Sequence, residues 1–334
     1  MKKLALVVGL AVMAMPLAAH AEIKNRTIRV SAGVNDDHPV AGGVKVMTQC
    51  LAERSGGKMK MNAFWGGALG SDQQQTQSLR SGTQEMTITS TSPLVGIIPA
   101  LGAFDLPFVF KNEKEVDAVL DGEFGAEISG MMPSKGLVNL AYWENGFRNL
   151  TNSRRPVSKW EDIGGLKIRV MQNNIFIDTF NNMGANAVPM SFGELFSALD
   201  TKAIDAQENP FVTIDSTKFY EVQKYLSVTR HAYTPYLALF SKPIFDSYSP
   251  EERKILQDCT IVGRDAQRRI AREQSSEALA NLKKQGMQVV EFTEAEQTRM
   301  RDHAKSVLDK HAPAIGKDTV AKLMAAIEKA RASN

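Results

Sequence analysis

Two cysteines, three tryptophans and five histidines in 334 residues are what this sequence has least of, and each scarcity excludes something. Cys50 and Cys259 stand too far apart for a CxxC redox pair or a zinc motif. No segment beyond the N-terminal leader offers about 18 uninterrupted apolar residues, so no membrane-spanning helix is expected there. GxSxG, HExxH, a Walker-type phosphate loop and GxGxxG are all missing. "GGALG" at 66–70 has the wrong spacing for a dinucleotide and reads as a turn. Beyond the leader the histidines are His38, His231, His303 and His311, the last two in polar helical stretches that read as solvated surface. Catalytic machinery, a metal and other cofactors are therefore not expected.

An excess of charge is lacking too. The formal charge of +3 falls to +1 once Lys2 and Lys3 are set aside, so no nucleic-acid partner is expected. Those lysines open a leader: an apolar run from Leu4 to Ala14, a break at Pro16 and the small-residue pattern Ala19-His20-Ala21. This predicts a secretory signal at 1–21, cleaved before Glu22, and an exported, periplasmic chain. About 313 residues remain, enough for two domains. In an oxidising compartment Cys50 and Cys259 either form one disulfide or stay separate small core residues, and both readings are open.

What is present is a repeating rhythm. "TIRVSAGVN" at 27–35 alternates as a strand, and a helix follows from about Pro39 to Arg54, stopped by Ser55-Gly56-Gly57. "KMKMNAFWG" is the next strand, and Ser71-Asp72-Gln73-Gln74 has capping-box spacing that opens a helix ending near Gly82, before "EMTITS". The rhythm returns after Gly136 with "GLVNLAYW", "LKIRVM", a helix to Gly184, "NAVPM" and "FGELFSALD". Such alternation predicts an α/β fold with a largely parallel sheet. From Ser249-Pro250-Glu251-Glu252 a helical pattern continues to about Gln285 with Gly263 inside it. At 1.5 Å per residue it spans roughly 50 Å and reads as a strut crossing both domains.

Chemistry is carried by fixed polar groups inside apolar or aromatic strands: Arg148 in "YWENGFRNLTN", Arg169 in "LKIRVM" and Asn209 in "DAQENP". A buried guanidinium without an anion is costly. Each arginine therefore needs either an internal carboxylate, with Glu144, Glu208 and Asp205 as candidates, or a ligand. Two such arginines with no enzymatic apparatus favour a preformed anion site, where the planar guanidinium meets a ligand carboxylate in a bidentate pair.

The strings "LAYWENGFRNLTNSRRPV", "GGLKIRV", "VPMSFGELFSALDTKAIDAQENP" and "FYEVQKYLSVTRHAY" resemble the substrate-binding proteins of tripartite ATP-independent periplasmic (TRAP) transporters. The likeness covers essentially the whole chain after the leader, and it is strongest to members that bind sugar acids such as diketogulonate and uronates. By position the resemblance implies that Arg169 clamps the ligand carboxylate, that Arg148 lines the cleft on its other side, and that Asn209, after Gln207 and Glu208, orients the same group. Glu208 is counted with this set. Phe192 matches the aromatic wall, and His231 and Gln172 fall at cleft positions. From the first domain, His38, Asp72 and the hydroxyl run Ser90-Thr91-Ser92 fall where members vary with their ligand; equally, His38 and Asp72 read as helix caps and the hydroxyls as a strand end. Two departures stand out: Ala206 replaces a usual Gly, and Ser90 replaces the glutamate of many sialic-acid members, which argues against sialic acid.

The resemblance further implies a hinged, two-domain periplasmic-binding-protein-like fold, with domain I from 22–146 plus about 235–274 and domain II from 147–234 plus about 275–334. It implies capture of a sugar acid and delivery to the small and large integral membrane subunits of a TRAP permease. The first-domain candidates include no Lys or Arg to anchor a second carboxylate. A monocarboxylate of about six carbons, a uronate, aldonate or keto-aldonate, is therefore expected over a C4-dicarboxylate. A sugar-acid-processing enzyme and the sensory input of a signalling pair are the other readings.

Overall fold

The computed structural model describes residues 22–332, so the leader expected at 1–21 lies outside them. Among the described residues the strands are β1 (Arg26–Ala32), β2 (Met59–Phe64), β3 (Met86–Ser90), β4 (Leu137–Asn152), β5 (Lys167–Val170), β6 (Asn186–Pro189), β7 (Ala206–Asn209), β8 (Tyr225–Ser241) and β9 (Gln288–Glu291). They form one sheet in the order β2-β1-β3-β8-β4-β7-β5-β6, with β9 pairing β8. The α-helices are α1 (Pro39–Arg54), α2 (Asp72–Arg80), α3 (Glu113–Leu120), α4 (Glu123–Gly130), α5 (Asn174–Asn182), α6 (Phe192–Asp200), α7 (Phe211–Ser216), α8 (Lys242–Asp246), α9 (Pro250–Lys284), α10 (Glu294–Ile315) and α11 (Lys317–Ala332).

The α/β architecture is as expected, and the parallel pairing holds at the two ends of the sheet. β1 runs parallel to β2 and β3, and β5 runs parallel to β6 and β7. The centre differs. β4 and β8, 16 and 17 residues long, lie antiparallel to one another and join the ends through antiparallel contacts with β7 and β3. The strand expected over "GLVNLAYW" therefore does not stop at the polar Glu144-Asn145-Gly146. It bulges there: register shifts fall between Glu144 and Gly146 and again between Arg148 and Leu150, and Gly146 sits at φ 122°. An extra residue in a strand re-aims the side chains around it. Across the second shift, Arg230 takes a left-handed φ of 43° and donates its amide to Asn149 Oδ1 at 3.2 Å.

Helix α9 is the long strut, 35 residues with a full capping box at Ser249 and Glu252. Its interior Gly263 has a packing reason. A Cβ there would stand 2.9 Å from Met47 and 3.0 Å from the Gly43 carbonyl, and one on Gly43 would stand 2.7 Å from Trp143. The two glycines let α1 and α9 close on one another above the buried Trp143. Gln267, one turn on, accepts from the Glu144 amide at 2.9 Å and donates to the Glu144 carbonyl at 2.7 Å, so the bulged backbone of β4 keeps its hydrogen bonds. Arg264, Arg268 and Arg272 then tie α9 to Asp117 and Asp121 beside α3, and Arg272 also reaches Glu144 at 2.6 Å.

The C-terminal segment from 275, grouped above with the second domain, divides. Met300 and Ala304 of α10 join the core around Phe176 and Phe180 of α5. α11 packs instead on α3 and α4, burying Leu323 and Ile327 with Val116 and Phe124 and pairing Lys322 with Glu127 and Arg331 with Glu115. His303 and His311, read as solvated, are both engaged: His303 stacks on Trp160 with centroids 3.9 Å apart, and His311 meets Asp178 at 2.6 Å.

Cys50 and Cys259 are bonded, which joins α1 to α9 across a sequence separation of 209. Closing so long a loop restricts the unfolded chain, and breaking it is expected to cost about 2–5 kcal/mol. Cys50→Ser should lower Tm by several degrees in a thermal scan, and the wild type in reductant should follow it. Indistinguishable melting of all three samples would show that the bond contributes nothing to stability.

Candidate functional site

The parallel halves point their strand ends at one another, and a pocket with about 440 Å³ of free space lies between them. From the β1–β3 end come Gly33, Asp72 and Ser90, from the central strands Asn145, Arg148 and Tyr236, and from the β5–β7 end Arg169, Met171, Phe192 and Asn209, over an apolar floor of Val34 and Ile88. Ligand sites in open α/β sheets fall in such crevices beyond the strand ends.

Arg148 and Arg169, both buried, face this pocket in different states. Arg148 is fully engaged on one side. Its Nε donates to Glu208 Oε2 at 2.5 Å and its Nη2 to Glu208 Oε1, the Glu208 carbonyl and Asn209 Oδ1 at 3.0, 2.6 and 3.0 Å. Behind the carboxylate stands His231, with Nε2 3.0 Å from Glu208 Oε2 and Nδ1 2.8 Å from Thr229 Oγ1. A carboxylate can only accept, so Nε2 carries the proton toward Glu208. Burial pushes the Glu208 carboxyl up, but Arg148 and His231 outweigh it and hold it below its ordinary value. Arg148 Nη1 has no partner among the described residues, nor does Asn145 Oδ1. An unmet donor and an unmet acceptor thus lie among the groups of one cavity.

Arg169 has no carboxylate partner among the described residues. Its Nε donates to the Met190 carbonyl at 2.9 Å, which orients the fork, and 2% of the residue is exposed. Burial pulls its pKa down to about 10 against the support of Glu208, Asp72 and Glu194, so it remains cationic at neutral pH. Asn209 is fixed by donating to Gln207 Oε1 at 2.6 Å, and Gln207 by donating to Thr151 at 2.8 Å.

Arg169, Arg148, Asn209, Phe192, Asp72 and Ser90 are therefore brought together, and the other expected residues are not on the wall. Glu208 and His231 lie behind Arg148 and position it. His38 caps α1 and faces Thr213 at 3.1 Å; burial lowers its pKa to about 3, which keeps it neutral. Thr91 is buried off the lining, and Ser92 donates to Asp105, which also accepts from Asn173. Gln172 lines a separate groove with Val95 and His311. The next lining residue after Arg169 is Met171, two positions on. Alternation along an extended chain carried that signal, since side chains two apart share a face and those three apart do not. Asn145 and Tyr236 were also missed: the first is aimed by the bulge, and the second stands opposite Ser90 in the β3–β8 register. No cluster of three or more His, Cys, Asp or Glu that could hold a metal occurs among the described residues.

Residues 30–314 match the model of a family described as bacterial extracellular solute-binding protein, family 7. The crystal structure of a sugar acid binding protein from Advenella mimigardefordensis strain DPN7T in complex with galactonate is 45% identical, with a TM-score of 0.91 over 92% of this chain and 99% of that one. The 2,3-diketo-L-gulonate-binding periplasmic protein of Escherichia coli (strain K12) is 37% identical over 246 residues, 74% of this chain and 75% of that protein. A TRAP periplasmic solute binding protein from Sulfurospirillum deleyianum DSM 6946 with bound succinate is 26% identical, with a TM-score of 0.87 over 91% of this chain and 100% of that one. All three are binding proteins by name.

The Arg148–Glu208 pair predicts a large stability effect that needs no ligand. Glu208→Ala leaves a fully buried guanidinium without its anion, at an expected cost of about 3–5 kcal/mol in a urea titration. A loss below about 1 kcal/mol would mean that water or another group reaches Arg148 and that the pair is not structural.

Proposed function

The chain belongs to the bacterial extracellular solute-binding proteins of family 7, which serve TRAP transporters, and on that premise we propose that it captures a monocarboxylate sugar acid of about six carbons. The observation that carries this reading is Arg169, a buried cation that faces the cavity and is ion-paired to no carboxylate among the described residues. A ligand carboxylate between Arg169, Arg148 Nη1 and Asn209 supplies the missing charge in charge-assisted bonds. The rest of the cavity suits a polyol. Asp72, Ser90, Asn145 and Tyr236 offer acceptors and donors, and burial pushes the Tyr236 hydroxyl up so that it stays a donor. Phe192 supplies an apolar face. The galactonate and diketogulonate binders support the ligand class; the succinate binder is the competing case, and the lining here holds no third cation for a second carboxylate. The two halves of the sheet act as lobes that close around the ligand at the β4–β8 crossing, and the permease subunits take the closed form. The extracellular family and the leader expected at 1–21 both support a periplasmic site of action.

Two measurements test the reading. A ligand at a hundred times its Kd stabilises the folded form by about 2.7 kcal/mol, so galactonate, glucuronate, galacturonate or diketogulonate should raise Tm by several degrees while succinate, malate and fumarate do not. Shifts with the C4 acids alone would transfer the assignment to dicarboxylates. Arg169→Lys keeps the charge but loses the two-pronged donor, and titration calorimetry with the best ligand should show binding weakened by about tenfold or more. Unchanged affinity would remove Arg169 from the clamp.

A further inference from the structure

We propose that Asp72 is the specificity residue of this pocket, rejecting ligands that carry a second carboxylate at the end remote from Arg169; the inference rests on the sugar-acid reading above. Asp72 is the first residue of α2, yet it is free of the capping task, because Ser71 accepts from the Gln74 amide and completes the capping box. Its carboxylate is turned to the cavity beside Gly33, where a Cβ would stand 3.8 Å from Asp72 Oδ1. The fully buried carboxylates are provided for: Glu208 by Arg148 and His231, Glu252 by Arg26, Glu144 by Arg272, Glu115 by Arg331, and Asp105 by the Ser92 hydroxyl and the Asn173 amide. Asp72 has no ion-pair partner among the described residues. Burial disfavours its charge, and only the Thr89 hydroxyl and Arg169 across the cavity favour it.

The pocket is thus polarised. Two guanidiniums from β4 and β5 form one pole, and a single under-satisfied carboxylate on α2 forms the other. An ionised carboxyl group accepts hydrogen bonds and donates none, so its complement is a ligand hydroxyl. A polyol with one acidic end satisfies both poles. A ligand acidic at both ends satisfies the first and places a like charge against Asp72, where burial leaves little water to screen it. Excluding the wrong partner by repulsion gives discrimination that added attraction cannot.

Galactonate and galactarate test this, since they differ only in whether the terminal carbon is a hydroxymethyl or a carboxylate. By calorimetry at neutral pH the wild type should bind galactonate at least about a hundredfold more tightly than galactarate. Asp72→Asn, nearly isosteric, should shrink that ratio by about tenfold or more, chiefly by improving galactarate, and Asp72→Ser should do the same if Asn is poorly tolerated. Wild-type affinities within a factor of about three, or a ratio that both variants leave unchanged, would overturn the role of Asp72 while leaving sugar-acid capture intact. Binding of neither acid, nor of any other sugar acid, would overturn the underlying reading and this inference with it.

Discussion

One buried positive charge without an ion pair organises this protein. Removing an ion from water costs several kcal/mol even after relaxation, and Arg169 offsets that cost with one hydrogen bond, to the Met190 carbonyl, and the more distant charges of Glu208, Asp72 and Glu194. A nearby second guanidinium would make matters worse, and Arg148 indeed opposes the charge on Arg169. Glu208 resolves the conflict. By holding Arg148 through Nε and Nη2 it cancels that charge and leaves Nη1 turned outward, so two planar donors can share one small cavity. Because His231, on β8 beyond β4, backs Glu208 at 3.0 Å, the anion is held on Arg148 and away from Arg169.

The fold supplies each member of this arrangement from a different strand, which is why the sheet's mixed topology matters. Arg169 is on β5, Glu208 and Asn209 on β7, Arg148 on β4 opposite Ala232, and His231 on β8 beside that residue. Parallel strands at each end bring their carboxyl termini to the crevice, while the antiparallel centre passes the chain between the ends twice. The bulge in β4 at Glu144–Gly146 turns Asn145 toward the cavity, the extra residues of β8 fall opposite Arg148 and Leu150, and Gln267 of the strut satisfies the backbone at Glu144. The long helix thus shapes the site while spanning the molecule.

Local pattern made much of this legible. α1, α6 and α9 lie where periodicity and capping residues put them, because those signals reside within one helix. Arg169 was conspicuous for the same reason, a cation in an apolar strand. What sequence could not settle was partnership. Glu208 was at once a candidate partner for the arginines and a candidate ligand contact, and only the β4–β7 pairing, which sets Asn149 opposite Asn209, brings it to Arg148. Likewise β4 looked like a strand that ended at polar residues, since a bulge and a terminus share the same local composition. α11 carries nothing in its own residues to say that it packs on α3 and α4, beside Val307 and Ile315 of α10, and not on the core around Phe176 and Phe180.

The division of labour between the arginines also bears on how such a site can work as a trap. A cavity in which every charge were already paired would gain little from a ligand carboxylate, because the ligand would have to displace an internal bond to make its own. A cavity in which both arginines were unpaired would carry twice the desolvation cost and resist closing. With one guanidinium ion-paired and the other not, the Arg169 side of the site has an open place for one negative charge, which a monocarboxylate fills. The free energy that the empty pocket withholds from its closed form is then returned on binding, so ligand and closure favour each other by the same amount.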